Sequence, residues 1–221
     1  AGPTSLGPGT ASGAPRFHGG LGGSVAQPLG EFDRNVGLGY GLTGHLLARL
    51  GGSGAFALRV DGGWVAYGRE RRRVPLSPTL GRIGVDLTTS NNILWLGVGP
   101  QLMVPRGAIR PYVHGSAGLA YFGTTSSVRG TRSNQNFAST TNYDDWTPSL
   151  GGGGGLLLRV AQNANTLVLL DLGARYHANG RVRYLREGGI RDLPDGQLQL
   201  DVLESQANLV TYHVGVSIGG R

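Results

Sequence analysis

The chain has 221 residues, 41 of them glycine, with no cysteine, 15% charged residues and a formal net charge of +7. That length fits one all-β domain, the glycines follow no Gly-X-Y period that would signal collagen, and the missing cysteine excludes a disulfide framework, a thiolate metal site and a cysteine nucleophile. All 20 basic residues are arginine, but they are scattered and no zinc-finger, helix-turn-helix or RNA-binding signature accompanies them, so no nucleic-acid partner is expected.

Residues 1–15 are mostly Gly, Pro, Ser, Thr and Ala, which reads as a flexible arm; the start at Ala1-Gly2-Pro3 is read as the mature end of an exported protein whose signal has been removed. A weak first strand follows over 16–26, with Phe17, Leu21 and Val25 against His18, Gly20 and Ser24. Strand 36–50 sets Val36, Leu38, Tyr40, Leu42, Leu46, Ala48 and Leu50 at one parity, with Leu47 as the exception. A period of two over this length signals a strand, not a helix. The next strand carries Phe56, Leu58, Val60, Trp64 and Ala66 against Arg59, Asp61 and Gly63; strand 92–104 carries Leu94, Leu96, Val98, Leu102 and Val104, and Trp95 has no clear facing. Strand 109–122 sets Ile109, Val113, Ala117, Leu119 and Tyr121 against Arg110, Tyr112, His114 and Ser116. Strands 148–161, 166–178 and 207–219 repeat the pattern, with Arg159, Asp171, Arg175, His177 and His213 on the second face.

These eight strands are joined alternately by short turns (51–54, 105–108, 162–165) and long connections (roughly 27–35, 67–91, 123–147 and 179–206). The expected fold is an all-β, eight-stranded antiparallel up-and-down barrel over 16–221, of the transmembrane type, with short turns at one end and four long loops at the other. The two longest loops are expected to carry strand extensions, and within the last connection Val182, Tyr184, Leu198, Leu200 and Val202 suit a hairpin above the membrane. The second face is rich in Gly, Ser, Thr, His and Arg with only two acids, a poor solvent-facing surface but a suitable lining for a narrow interior. Tyr40, Trp64, Tyr121, Tyr176 and Tyr212 have apolar parity and lie near the long-loop end, as an interfacial girdle does.

Pro111-Tyr112-Val113-His114-Gly115, Gly118-Leu119-Ala120-Tyr121, Leu170-Asp171-Leu172-Gly173-Ala174-Arg175-Tyr176 and Val214-Gly215-Val216-Ser217-Ile218 resemble the strands of OmpA/OmpX-type small outer-membrane β-barrels. The resemblance covers residues 16 to 219 and implies an exported protein at the bacterial outer membrane and cell surface. Such barrels usually end in an aromatic residue; here the end is Ile218-Gly219-Gly220-Arg221.

Arg49, Arg59, Asp61, Arg110, Arg159, Asp171 and Arg175 share interior parity, so an ion-pair network plugging the lumen is expected, since buried charges must be paired. His45, His114, His177 and His213 face inward at different heights, which suits hydrogen bonding better than a metal site. No cofactor and no catalytic residue is expected: a lipid-modifying site drawn from His177, Ser126, Ser127, Asp144 and Asp145 has no diagnostic spacing, and carboxylates at Asp144, Asp145, Asp192 and Asp195 read as solvated. Arg69, Arg71, Arg72 and Arg73 in a long loop suit contact with phosphate groups of lipopolysaccharide. The function expected is a non-enzymatic barrel that presents polar loops in a structural, adhesive or envelope-stabilising role, with lipid or lipopolysaccharide as partner. Two alternatives keep the fold: a subunit assembling with other copies through its N-terminal arm and loops into a filament, tube or array, and a soluble ligand-binding barrel.

Overall fold

A computed structural model describes residues 16–75, 84–130, 136–163, 165–192 and 198–220. The arm expected over 1–15 lies outside the described residues, as does Asp195. Ten strands form: β1 (Phe17–Pro28), β2 (Gly39–Leu50), β3 (Phe56–Pro75), β4 (Gly84–Met103), β5 (Ile109–Gly130), β6 (Asn136–Gln162), β7 (Thr166–Asn179), β8 (Arg181–Asp192), β9 (Leu198–Gln206) and β10 (Leu209–Gly220). Eight of them close an antiparallel barrel in the order β1-β10-β7-β6-β5-β4-β3-β2, and β8 with β9 makes a separate two-stranded sheet.

The barrel is the one the alternation and the turn spacing predict. Closure runs through β1, whose Val25 pairs with Tyr40 of β2 on one side and Tyr212 of β10 on the other. Short turns are possible because glycine supplies left-handed backbone: Gly51 and Gly54 have φ of 75° and 68° in the β2–β3 turn.

The long connections carry strand extensions, as expected of the two longest, and the extensions involve four strands. β3 and β4 pair onward to Pro75↔Gly84, and β4 and β5 to Val85↔Gly130. β6 begins at Asn136, twelve residues before the strand start at 148 read from the sequence. Four strands therefore rise as one sheet beyond the barrel, and their runs of Thr, Ser and Asn lack an apolar stripe that periodicity can detect. Val36 and Leu38 are not in a strand; β2 starts at Gly39, and Val36 is buried in the β1–β2 connection. The hairpin expected within 179–206 is β8–β9, with Val182 opposite Ser205 and Tyr184 opposite Leu203.

Candidate functional site

The barrel interior divides into three layers along its axis. The middle layer is polar. Asp61 of β3 pairs with Arg175 of β7 across the lumen and takes Arg59 at 3.5 Å. Arg59 also donates to Gln101 at 2.8 Å, and Arg175 donates to Ser116 at 2.8 Å. A second centre forms on Asp171, which accepts the Tyr112 hydroxyl at 2.8 Å and has His213 and His45 at 3.4 and 3.7 Å. His177, higher up, bonds Thr211 at 3.1 Å. Glycine makes this packing possible: a Cβ on Gly151 would strike the Arg175 guanidinium, and one on Gly63 would strike the Trp95 ring.

The layers above and below are apolar, and the sequence reading did not contain them. At the turn end Leu47, Ala57, Met103, Tyr112, Leu157, Leu167 and Leu169 pack across the lumen. At the long-loop end Phe32 is fully buried at the centre of a larger cluster with Val36, Val65, Tyr67, Ile93, Trp95, Phe122, Val182, Tyr184 and Leu209. Phe32 makes edge contacts with Tyr67, Phe122 and Tyr184 at ring distances of 5.6, 5.9 and 5.0 Å. Such pairs add about 0.5–1.5 kcal/mol each beyond area burial. The signal for these layers lies where alternation fails: Leu46-Leu47, Leu156-Leu157-Leu158, Leu167-Val168-Leu169 and Ile93-Leu94-Trp95-Leu96 place apolar residues at both parities. Phe32, alone among Glu31, Asp33 and Arg34, carries no such periodic signal.

The β8–β9 hairpin completes the upper layer. Val182, Tyr184 and Leu185 point into it, Tyr67 donates to the Leu185 carbonyl at 3.4 Å, and Tyr184 and Ser205 share a 3.0 Å hydroxyl contact. Outside, Asp145 accepts the Arg183 backbone N–H at 2.9 Å and that of Trp146 at 2.9 Å, with the Arg183 guanidinium at 3.6 Å. Those backbone donors, the Arg183 one foremost, hold the Asp145 carboxyl below the usual carboxylate range.

The other interior candidates sit apart from the central network. Arg49, near the turn end, approaches the Met103 sulfur at 3.3 Å, and Arg110 donates to the Gly107 carbonyl at 3.1 Å. Arg159 keeps interior parity, opposite the buried Leu169, but stands at the turn-end rim, where it is exposed and donates to Gln162 at 3.1 Å. The middle layer is thus balanced, Arg59 and Arg175 against Asp61 and Asp171, and the excess arginine lies toward the turn end. Among the described residues no three His, Asp or Glu side chains are grouped to hold a metal ion.

On the outer wall, Tyr40, Trp64, Tyr176 and Tyr212 stand exposed and Tyr121 half-buried. Trp146, within the connection 123–147, joins them: it is exposed and lies 4.8 Å from the Tyr121 ring. Register puts Trp64, Leu94, Tyr121 and Trp146 directly opposite one another on neighbouring strands. Below them run Phe56, Leu58, Val60, Leu96, Val98, Leu102, Ile109, Val113 and Leu119, with Val214, Val216 and Ile218 on the far side, all exposed. From Phe56 to Trp64 is eight residue steps, which at about 3.4 Å each and a tilt near 40° spans roughly 21 Å of height.

Arg69 and Arg71 are exposed on the rising part of β3, while the side chains of Arg72 and Arg73 fall outside the described residues. The five residues considered for catalysis do not converge. His177 is inside the barrel, Ser126 bonds Thr89 and Asn142 on the rising sheet, and Asp145 is tied to the hairpin.

No protein-family profile and no curated protein matches this chain. Among solved structures it is similar to Neisserial surface protein A, at 14% identity over 95% of this chain and 99% of that one, with a TM-score of 0.49. It is also similar to Ail, the attachment invasion locus protein of Yersinia pestis, at 13% identity over 93% and 98%, TM-score 0.42. A third likeness is to the outer membrane protein OprG from Pseudomonas aeruginosa, at 13% identity over 95% and 99%, TM-score 0.43.

Proposed function

We propose that this chain is a non-enzymatic barrel of a bacterial outer membrane, with a plugged lumen and a strand-built platform at the cell surface in a structural or adhesive role. The observation that carries the reading is the outer wall. A belt of exposed Leu, Val, Ile and Phe, bordered toward the long loops by Trp64, Tyr121 and Trp146, encircles an interior that holds the charges. Soluble monomers rarely expose apolar patches beyond a few hundred square ångströms, and a soluble ligand-binding barrel turns its apolar face inward. Hydrocarbon is the solvent that such a belt suits, and closure leaves no unpaired strand edge within it. The platform above the belt ends in edges that carry Arg69 and Arg71, and charge on an edge discourages uncontrolled pairing with other strands.

Tryptophan quenching tests the reading. Single-tryptophan variants retaining Trp64, Trp146 or Trp95 are placed in bilayers containing lipids brominated along the acyl chain. Trp64 and Trp146 are 42% and 58% exposed and Trp95 only 4%. Strong quenching of the first two and weak quenching of Trp95 is expected. Quenching of none of them, with filaments or arrays in the electron microscope, means that neighbouring protein covers the belt instead.

A further inference from the structure

The belt is not evenly convex. On the outer face of β2 and β3, Gly44 and Gly62 stand directly opposite each other, with Leu21 beyond Gly44 and Leu96 beyond Gly62. Two missing side chains in a row leave a dent two strands wide, and the leucines form its walls. The result is a groove of about 920 Å³ with an almost wholly hydrocarbon lining, at the upper end of the roughly 300–1,000 Å³ range of ligand sites. Val60 and Ala117 border it toward the turn end, and Trp64 and Trp146 form its upper lip.

The lip is fixed in place. The Trp64 ring N–H donates to the Asn92 side-chain oxygen at 3.1 Å; Ser90 donates to the same oxygen at 3.2 Å, and the Asn92 amide donates to the Ser90 carbonyl at 3.2 Å. Above the lip the character of the wall changes to cationic. The bulge between Ala66 and Gly68 reverses the facing of β3, so odd-numbered Arg69 comes out opposite Ser90 on the same outer face as Trp64. Arg69 is exposed and five residues beyond Trp64, about 16 Å along the strand. The column therefore reads, from below, hydrocarbon groove, tryptophan lip, hydrogen-bonding amide, guanidinium.

We propose that this groove is a binding site for a phosphorylated, multiply acylated glycolipid of the lipid A type, with acyl chains over Gly44 and Gly62 and a phosphate against Arg69. This rests on the outer-membrane reading above. The tryptophan lip of the groove lies toward the long-loop end, which faces the outside in such barrels, so the groove meets the glycolipid of the outer leaflet. Its volume exceeds what one chain fills, and guanidinium pairs with phosphate bidentately. A second copy of the chain is the competing occupant, but the apolar lining stops at the tryptophans and gives way to a cation, as a molecule with a hydrocarbon body and an anionic head requires.

The test uses the full chain, purified in detergent, with native mass spectrometry to read the lipid retained. The lipids are bis-phosphorylated lipid A, the same lipid stripped of phosphate, and phosphatidylethanolamine. Heat-shifted gel mobility, with insertion into vesicles, checks the barrel in every sample. Lipid A should be retained over the other two. Arg69→Gln and Ala117→Phe, the second filling the groove, should each reduce retention about tenfold. Leu170→Phe, on β7 across the barrel, should leave it unchanged. Equal retention by the Ala117→Phe and Leu170→Phe variants, or of the phosphorylated and stripped lipids, overturns the proposal. A barrel that inserts yet keeps no lipid A overturns it alone, whereas a chain that fails to insert overturns the outer-membrane reading as well.

Discussion

Replacing Phe32 by alanine separates the upper layer from the barrel wall. Phe32 is fully buried and meets the rings of Tyr67, Phe122 and Tyr184 edge-on. Truncating a buried Phe to Ala costs about 3–5 kcal/mol in close-packed cores. Phe32 lies on a connection that can settle inward, so the low end, about 3 kcal/mol, is the better figure for this site. The cost falls on the elements it joins, the β1–β2 connection and the β8–β9 hairpin, because the barrel ladders themselves lose nothing. A loss of 3 kcal/mol is roughly a hundredfold in the opening equilibrium. Hydrogen exchange in bilayers should therefore show the amides of Val182, Tyr184 and Leu203 exchanging about a hundredfold faster, with those of Val113 and Leu170 unchanged. Phe32→Leu should recover most of the protection. A uniform acceleration around the barrel, or no change in the hairpin, would show that Phe32 does not join these elements.

Three further outcomes follow from the interior and its rim. Asp61→Leu leaves Arg59 and Arg175 without their shared carboxylate and should cost about 3–5 kcal/mol in urea unfolding from vesicles; adding Arg175→Met should restore more than half of it. Asp145 titrates below the usual carboxylate range in the folded chain, so its contribution is present above the unfolded value near 3.8 and is lost as pH falls through the folded one. Hairpin amide protection should stay level from pH 7 to about 5 and fall below about pH 4, and Asp145→Asn should remove that drop; a drop persisting in the variant assigns it to another group. In planar bilayers the intact chain should pass almost no small-ion current, and steady conductance from it would contradict the plugged reading of the lumen.

Much of this was legible in the sequence because a strand's period of two survives any packing arrangement. Tyr40-Gly41-Leu42, Leu58-Arg59-Val60-Asp61 and Leu170-Asp171-Leu172 announce both strand and facing, and the spacing of Gly51-Gly52-Ser53-Gly54 and Pro105-Arg106-Gly107 announces the turns. The extent of the rising sheet was not legible, since Thr124-Thr125-Ser126-Ser127 has no apolar face to repeat and Thr124 is buried against the polar Asn91. Parity gives the facing of Arg159, opposite Leu169, but not its height, which is the turn-end rim within reach of water. Trp146 was hidden for the same reason as the rising sheet, being one large ring within a polar stretch. Phe32 is the least legible residue: its role depends on Tyr67, Phe122 and Tyr184, which lie far away in the chain and converge only when the barrel closes.

The order of the interior layers explains how the barrel carries buried charge at all. An isolated ion in a water-poor interior costs several kcal/mol, and that cost falls when opposite charges meet with further hydrogen bonds. Asp61 with Arg59 and Arg175, and Asp171 with Tyr112, His45 and His213, meet that condition at mid-height. The unbalanced cations, Arg49 and Arg110, lie toward the turn end, against the Met103 sulfur and the Gly107 carbonyl. A conducting lumen favours the opposite arrangement, with charge at the constrictions and few apolar side chains across the axis. Here Leu47, Leu157 and Leu169 cross at one end and Phe32, Trp95 and Tyr184 at the other. A cation entering from either side would lose its hydration against carbon before reaching Asp61 or Asp171. That ordering, more than the number of arginines, favours the reading of a support for the surface platform over that of a pore.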